Sequence, residues 1–341
     1  MSNLHDRLRL PRRLAVLASI LCFGVVVFGA FVRLSNAGLS CPDWPTCYGK
    51  LTWPVHAVDI AVANAEYERP VELAKAWKEQ AHRILAGGLV LLTFGLAWLT
   101  WRARTSAADV PWRAASVVAA LIVFQALLGM WTVTLKLKPV IVMAHLLGGM
   151  ATLALLVWIA TRLRASAISH LQTAGAPKRV AIIVGIVLVA IQIALGGWTS
   201  ANYAALACGL DFPKCLGEWW PATDFRNAFV LWRGIGVDYE GGVLDGPARA
   251  AIQLTHRLFA ILVAGHLFAL GSSMMRATKW RIAGVGLIAL VAIQIALGIG
   301  NVQLGLPLPV ATMHNAGAAF LLALLVWILA RITPVPAGRA A

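Results

Sequence analysis

Charge is scarce in this chain. Asp, Glu, Lys and Arg make up 13% of 341 residues, against 60% hydrophobic. The mean hydropathy of +0.78 lies far from that of a soluble domain. The apolar runs lack polar/apolar alternation, which excludes the strands of a membrane barrel. Only helices or closed barrels satisfy a backbone in lipid, so the runs are helices. No A-x-A cleavage site follows the first run, which is also too long for a signal-peptide core, so it is kept as a span. A span needs about 20 apolar residues. Eight runs qualify, at about 14–34, 80–100, 114–134, 141–161, 180–200, 251–271, 282–302 and 310–330.

Acids are scarcer still on one side. The net charge of +15 would suit nucleic acid if it were clustered. With the N-terminus placed inside and eight spans threaded, sixteen Lys/Arg fall inside, among them Arg12, Arg13, Arg162, Arg281 and Arg339. Only two acids join them, Asp6 and Asp109; thirteen bases and twelve acids fall outside or at outer helix ends. This is the positive-inside rule, so the basic excess reports topology, helped by anionic lipid, and excludes a nucleic-acid surface. Both termini are expected in the cytoplasm. The fold class is an all-α integral membrane protein with two long outer loops, about 35–79 and 201–250.

The chain repeats itself. EQAHR at Glu79–Arg83 answers QLTHR at Gln253–Arg257, and MAHLLGG from Met143 answers TMHNAGA from Thr312. Gln125/Gly129 answers Gln294/Gly298, and Leu39-Ser-Cys41 answers Leu206-Ala-Cys208, with offsets drifting between 167 and 174. Two four-helix halves follow, 1–165 and 166–341. An even number of spans per repeat makes them parallel, related by a pseudo-twofold axis along the membrane normal. His82, His145, His256 and His314 then lie near the N-terminal ends of spans two, four, six and eight. All four spans run inward, so the four imidazoles share one level near the outer surface.

Imidazole is a common metal ligand. Structural zinc wants four close ligands, often with Cys, and neither half supplies them. Two histidines per half on facing helices suit a heme with two axial ligands. His266 lies about three turns deeper than His256 with Leu92 at the equivalent place, and is read as a packed histidine; His5, His56 and His170 lie in tails or loops. Arg33, Arg83 and Arg257 suit heme propionates, with snorkelling toward headgroups an equal reading. Lys136 and Lys138 fit snorkelling better. Glu79 stands one turn before His82 on the same face, where the second half has Gln253. That asymmetry suggests proton-coupled chemistry in the first half and a permanent heme in the second, against the plainer reading of an interfacial acid at a helix N-terminus. Four cysteines form close pairs in the outer loops, Cys41 with Cys47 nearby and Cys208 with Cys215, where disulfides are the default. A structural or protective role is favoured over redox exchange. Cys22 is intramembrane and inert. The Q-x-x-x-G repeats (Gln125/Gly129, Gln192/Gly196, Gln294/Gly298) fit close helix packing, with room around a macrocycle as a second use. The tryptophans at span ends form an aromatic belt.

VRLSNAGLSCPDWPTCYG from Val32 to Gly49, with the EQAHR, MAHLLGG, QLTHR and MHNAGA runs, resembles the heme A synthase family over essentially all eight spans. The resemblance implies oxidation of one methyl group of heme O, through a hydroxylated intermediate, to the formyl group of heme A for cytochrome c oxidase biogenesis. It implies heme O as substrate in the first half, with His82 and His145 near its iron and Glu79 in the chemistry. It implies a heme b cofactor on His256 and His314, and disulfides Cys41–Cys47 and Cys208–Cys215, the latter spaced by seven rather than six. It implies residence in the bacterial inner membrane, an electron donor of unknown identity, and association with the enzyme that makes heme O; a homo-oligomer is left open. The residues alone reach only a two-heme membrane protein with one carboxylate-bearing site. Its rivals are a diheme b-type electron-transfer cytochrome, needing no Glu79, and a heme-handling transporter or chaperone.

Overall fold

A computed structural model describes residues 2–105, 110–165 and 175–334. Asp109, His170 and Arg339, and the residues following 165 where the halves were divided, lie outside the described residues. Ten helices follow in order: α1 (Ser2–Leu34), α2 (Ala57–Glu66), α3 (Leu73–Arg102), α4 (Trp112–Thr134), α5 (Pro139–Ala165), α6 (Arg179–Ala201), α7 (Phe225–Ala228), α8 (Gly246–Met275), α9 (Arg281–Gln303) and α10 (Leu308–Ile332). Eight of them are long and apolar enough to cross a membrane, and they match the eight expected runs. Three start earlier than the expected runs: α1, already helical from Ser2, and α3 and α8. α3 begins at Leu73 and α8 at Gly246, so each has polar first turns that a hydropathy window misses. Asp245 caps α8 by accepting from Ala248 N at 2.9 Å, and Pro247 sits in the first turn, where its missing N–H costs nothing. α2 and α7 are short helices inside the outer loops.

The packing pairs are diagnostic. α1 packs on α3 and α5, and α4 packs on α3 and α5, so the first half is a closed ring of four helices. α6, α8, α9 and α10 form the same ring in the same order. Between the rings α5 meets α10, α1 meets α10 and α5 meets α6. Exchanging α1, α3, α4 and α5 for α6, α8, α9 and α10 leaves this set of pairs unchanged, as a pseudo-twofold relation requires. The halves share one buried apolar core, running from Leu89 and Leu156 to Leu267 and Leu325. At the C-terminal end of α10, Arg162 of α5 donates to Thr333 O at 2.6 Å, serving the terminal carbonyls of that helix.

Lys138 corrects one expectation. It does not snorkel: it is 1% exposed, with Nζ 3.3 Å from the centroid of the Trp232 ring. The second outer loop folds back over it, so a cation–π contact replaces headgroup contact. Cys22 is buried, as expected of an inert thiol.

Candidate metal centres

In each ring the histidine-bearing helices are diagonal. α3 and α5 carry His82 and His145; α8 and α10 carry His256 and His314. α1 and α4, and likewise α6 and α9, stand between them. Diagonal helices face one another across the bundle interior, so each histidine pair looks into the same central space. Register agrees as well. His145 and His314 each lie six residues past the first residue of their helix. Within each half the two rings are in electrostatic reach of one another.

Each histidine rests on a glycine of the neighbouring helix. A Cβ built on Gly29 (α1) would lie 2.9 Å from His82 Cε1; on Gly129 (α4), 3.4 Å from His145 Cε1. On Gly196 (α6) it would lie 3.2 Å from His256 Cε1, and on Gly298 (α9), 3.2 Å from His314 Cε1. A side chain at Gly29 would force the imidazole to shift, one at Gly196 or Gly298 would crowd it, and one at Gly129 would come into contact with it. Three of the glycines are the glycines of the Q-x-x-x-G repeats, and Val25-x-x-x-Gly29 completes the set without its amide. Gly129, Gly196 and Gly298 were expected to serve helix packing first and room around a macrocycle second; Gly29 was not singled out, and its signal was its place one span before its histidine, as in the repeat.

The glutamines bind the histidine-bearing helices. Gln294 Nε2 donates to His314 O at 2.9 Å, and Gln192 Nε2 reaches His256 O at 3.2 Å and its Nδ1 at 3.2 Å. A Cβ on Gly148 would overlap the Gln125 amide, and one on Gly317 would overlap that of Gln294. Among the described residues, Nδ1 of His82, His145 and His314 is buried with no hydrogen-bond partner. An unpaired buried polar atom is costly, which sets these three rings apart from histidines satisfied by ordinary core packing. Among the described residues no three His, Cys, Asp or Glu side chains converge as a metal cluster. Paired imidazoles with a glycine beside each would suit a flat macrocycle held between His82 and His145, and between His256 and His314, better than a compact ion.

Above each histidine site lies a pinned loop, and here the duplication is at its closest. Cys41–Cys47 and Cys208–Cys215 are both disulfide-bonded. Each loop closes with a bridge, Cys47 with Lys50 and Cys215 with Glu218. Arg83 donates to Asp43 O at 2.7 Å and to Thr46 O; Arg257 donates to Asp211 O and Lys214 O at 3.0 Å each. Guanidinium, with its fork of donors, is the side chain able to hold two carbonyls at once. Arg33 instead crosses to the second half, donating to Ser200 O at 2.8 Å and Tyr203 Oη at 3.2 Å. Arg33 and Arg257 each keep a buried Nε without a partner among the described residues.

Glu79 is 5% exposed and belongs to the same clamp. Its Oε2 accepts from Cys41 N at 2.9 Å and from Ser40 Oγ at 3.0 Å, and its Oε1 accepts from Arg83 at 2.6 Å. Gln253 Oε1 accepts from Cys208 N at 2.7 Å, and its amide donates to Ala205 O at 2.7 Å. Holding the loop is therefore common to both halves; a carboxylate able to pair with the arginine is found in the first alone. Asp43, unremarked in the sequence, is the internal brace of the first loop. Partial burial pushes its carboxyl up, but hydrogen bonds from Thr46, Gly49 and Tyr48 outweigh that and hold it below the ordinary value. Asp211 braces the second loop through Gly217 N at 2.6 Å.

The sequence is similar to known proteins along most of its length. A family model described as "Cytochrome oxidase assembly protein" (COX15-CtaA) matches residues 12–326. The chain is 40% identical to a heme A synthase of Shewanella oneidensis over 305 residues, covering 89% of this chain and 91% of that protein. It is 28% identical to a heme A synthase of Rhizorhabdus wittichii over 333 residues (92% and 91%), and 28% identical to that of Paracoccus denitrificans over 349 residues (91% and 84%).

Proposed function

The chain belongs to the cytochrome oxidase assembly family that includes the heme A synthases, and from that premise we propose that it is an oxidoreductase converting a methyl group of heme O to the formyl group of heme A. The observation that carries the reading to this chain's own residues is the pair of histidines across each four-helix ring, each set on a glycine. A multi-pass membrane protein with two such sites suits a substrate that is itself a membrane-soluble heme.

The halves divide the work. Heme b is the resident cofactor of the second half, held by His256 and His314, and it supplies one-electron redox capacity when bound. Heme O, the substrate, is held in the first half by His82 and His145. The assignment rests on Glu79. The first half has an ionisable group clamped one helical turn from its histidine, whereas Gln253 holds the same loop in the second half without a titratable proton. Glu79 holds or moves a proton beside the methyl group being oxidised, and Arg83 steadies its charge at 2.6 Å. The disulfide loops close the outer mouth of each site and exclude water. Arg33, Arg83 and Arg257 set positive charge at that mouth, suited to propionate carboxylates, with the unpartnered Nε of Arg33 and Arg257 still available. The histidine level lies toward the outer face of the bacterial inner membrane, with both termini cytoplasmic, following the charge bias of the loops. Taking a methyl to a formyl group removes four electrons and adds one oxygen atom, so an oxidant and an oxygen source from outside this chain are required, with an electron donor as well where dioxygen serves as that oxidant; the enzyme that makes heme O is the natural neighbour.

The family assignment disfavours the electron-transfer cytochrome. Product identity tests the proposal: hemes are extracted from membranes that make heme O with and without this chain and resolved by liquid chromatography with mass detection. Heme A or its hydroxylated precursor appearing only with the chain supports it. Heme O left unchanged beside a folded, heme-loaded chain refutes it.

A further inference from the structure

The two disulfide loops differ in what covers them. In the first half Tyr48 is 5% exposed; its ring meets Tyr67 edge-on at 5.3 Å and its hydroxyl donates to Pro70 O at 3.1 Å. The segment around α2 thus forms a roof of the chain's own making. The second loop is the same structure unroofed. Leu216, which stands where Tyr48 does, is 59% exposed, and Trp219 is 69% exposed. Beside them opens a groove of about 350 Å³, lined by Asp211, Phe212, Pro213, Lys214, Gly217 and Trp219. Lys214 has no carboxylate partner among the described residues; its Nζ lies 5.9 Å from the Trp219 ring centroid.

The height of this groove identifies its occupant. Arg257 holds the loop by two carbonyls, so the loop lies level with that residue. Counting about 20 residues, the thickness of the hydrocarbon layer, outward from Arg276 at the inner end of α8 ends beside Arg257. α9 gives the same level independently. It has 23 residues, and the turn past its outer end meets the loop, where a Cβ on Gly305 would touch Leu210 at 3.9 Å. On α8, Leu258, Ile261 and Leu262 follow directly below and are exposed toward the lipid. The groove therefore opens at the boundary between hydrocarbon and headgroups, where tryptophan beside a cation is favoured.

We propose that this groove seats a phospholipid of the outer leaflet, its acyl chains along Phe212 and Trp219 and its phosphate toward Lys214. The inference rests on the membrane-spanning fold and not on the heme A reading, so either can fail alone. The test is electron paramagnetic resonance power saturation of full-length protein in phospholipid nanodiscs, spin-labelled at Trp219→Cys and, as a second variant, at Trp220→Cys. Cys22 is buried and stays unlabelled. The expected result is collision with oxygen exceeding collision with a water-soluble nickel chelate severalfold at both positions. In native mass spectrometry from detergent, Lys214→Glu should lose a bound phospholipid that the wild type retains. Free access of the nickel chelate would place the groove in water and overturn the proposal. So would shielding from both reagents, which with dipolar broadening would show a second copy of the chain and without it another protein surface.

Discussion

Replacing Gly29 by alanine should disable the first histidine site without touching a ligand. The new Cβ would stand 2.9 Å from His82 Cε1 and 3.2 Å from its Nε2. Carbon atoms in contact prefer about 3.5–4.0 Å, so the ring must retreat by about 0.6–1 Å or α1 and α3 must part. Overpacking of this kind costs about 1–3 kcal/mol. At 1.4 kcal/mol per tenfold, that weakens heme retention in this half by about 5- to 150-fold. The same substitution at Gly196 and Gly298, at 3.2 Å, should weaken the second half less, and Gly129→Ala, at 3.4 Å, least of all. Gly24→Ala, on the same helix as Gly29 with nothing within 4 Å of the new methyl, is the control. The assay is heme retained per chain by each purified variant, with the histidine–heme absorbance spectrum. Wild-type loading of Gly29→Ala, or a larger loss at Gly129 than at Gly29, would refute the view that the glycines exist to seat imidazoles.

Glu79→Gln should keep the Cys41 N–H bond, as Gln253 does at Cys208, and so keep the fold and heme loading. It should lose about 1.5–3 kcal/mol with the charge-assisted bond to Arg83, and heme A yield should fall by about 10²–10⁴ if the carboxylate moves a proton; normal output from this variant would sink the catalytic role. Asp43 makes the first loop acid-sensitive in a defined direction. Its depressed pKa stabilises the loop above the unfolded carboxylate value of about 3.9, and that stability is lost as pH falls through the lower folded value. Hydrogen exchange at the Tyr48 and Gly49 amides should therefore stay slow at pH 5, and Asp43→Asn should speed it there; equal protection in the variant would contradict the brace.

The helices and the placement of the histidines were legible because lipid enforces long apolar runs and duplication writes each histidine position twice. The ring order of the helices was not, since which spans touch depends on contacts between surfaces with no sequence period. The Q-x-x-x-G repeats were visible, but only packing shows that Gly129, Gly196 and Gly298 each face a histidine. The loops were hardest. Arg83 and Arg257 were open to propionate pairing or headgroup snorkelling; their bonds to backbone carbonyls about 40 residues away were a third role that no local pattern announces. Lys138 was misread, because nothing local announces that Trp232, from a distant loop, will cover it. One signal was within reach. From Asp43-Trp-Pro-Thr-Cys-Tyr-Gly to Asp211-Phe-Pro-Lys-Cys-Leu-Gly the offset is a constant 168. The extra residue that separates the cysteine spacings, seven against six, therefore lies between Cys208 and Asp211, and the loop equivalence was stronger than cysteine spacing alone suggested.

The proposed division of labour has the two halves holding different hemes for different tasks. The most direct measurement is the amount and kind of heme in purified His82→Ala, His145→Ala, His256→Ala and His314→Ala, by pyridine hemochrome and mass detection, from cells that make heme O. Heme b should disappear in the His256 and His314 variants and persist in the His82 and His145 variants, which should lose heme O and its oxidised products instead. Loss of heme b from the first-half variants with the second-half variants intact, or equal loss of every heme from all four in folded protein, would contradict it.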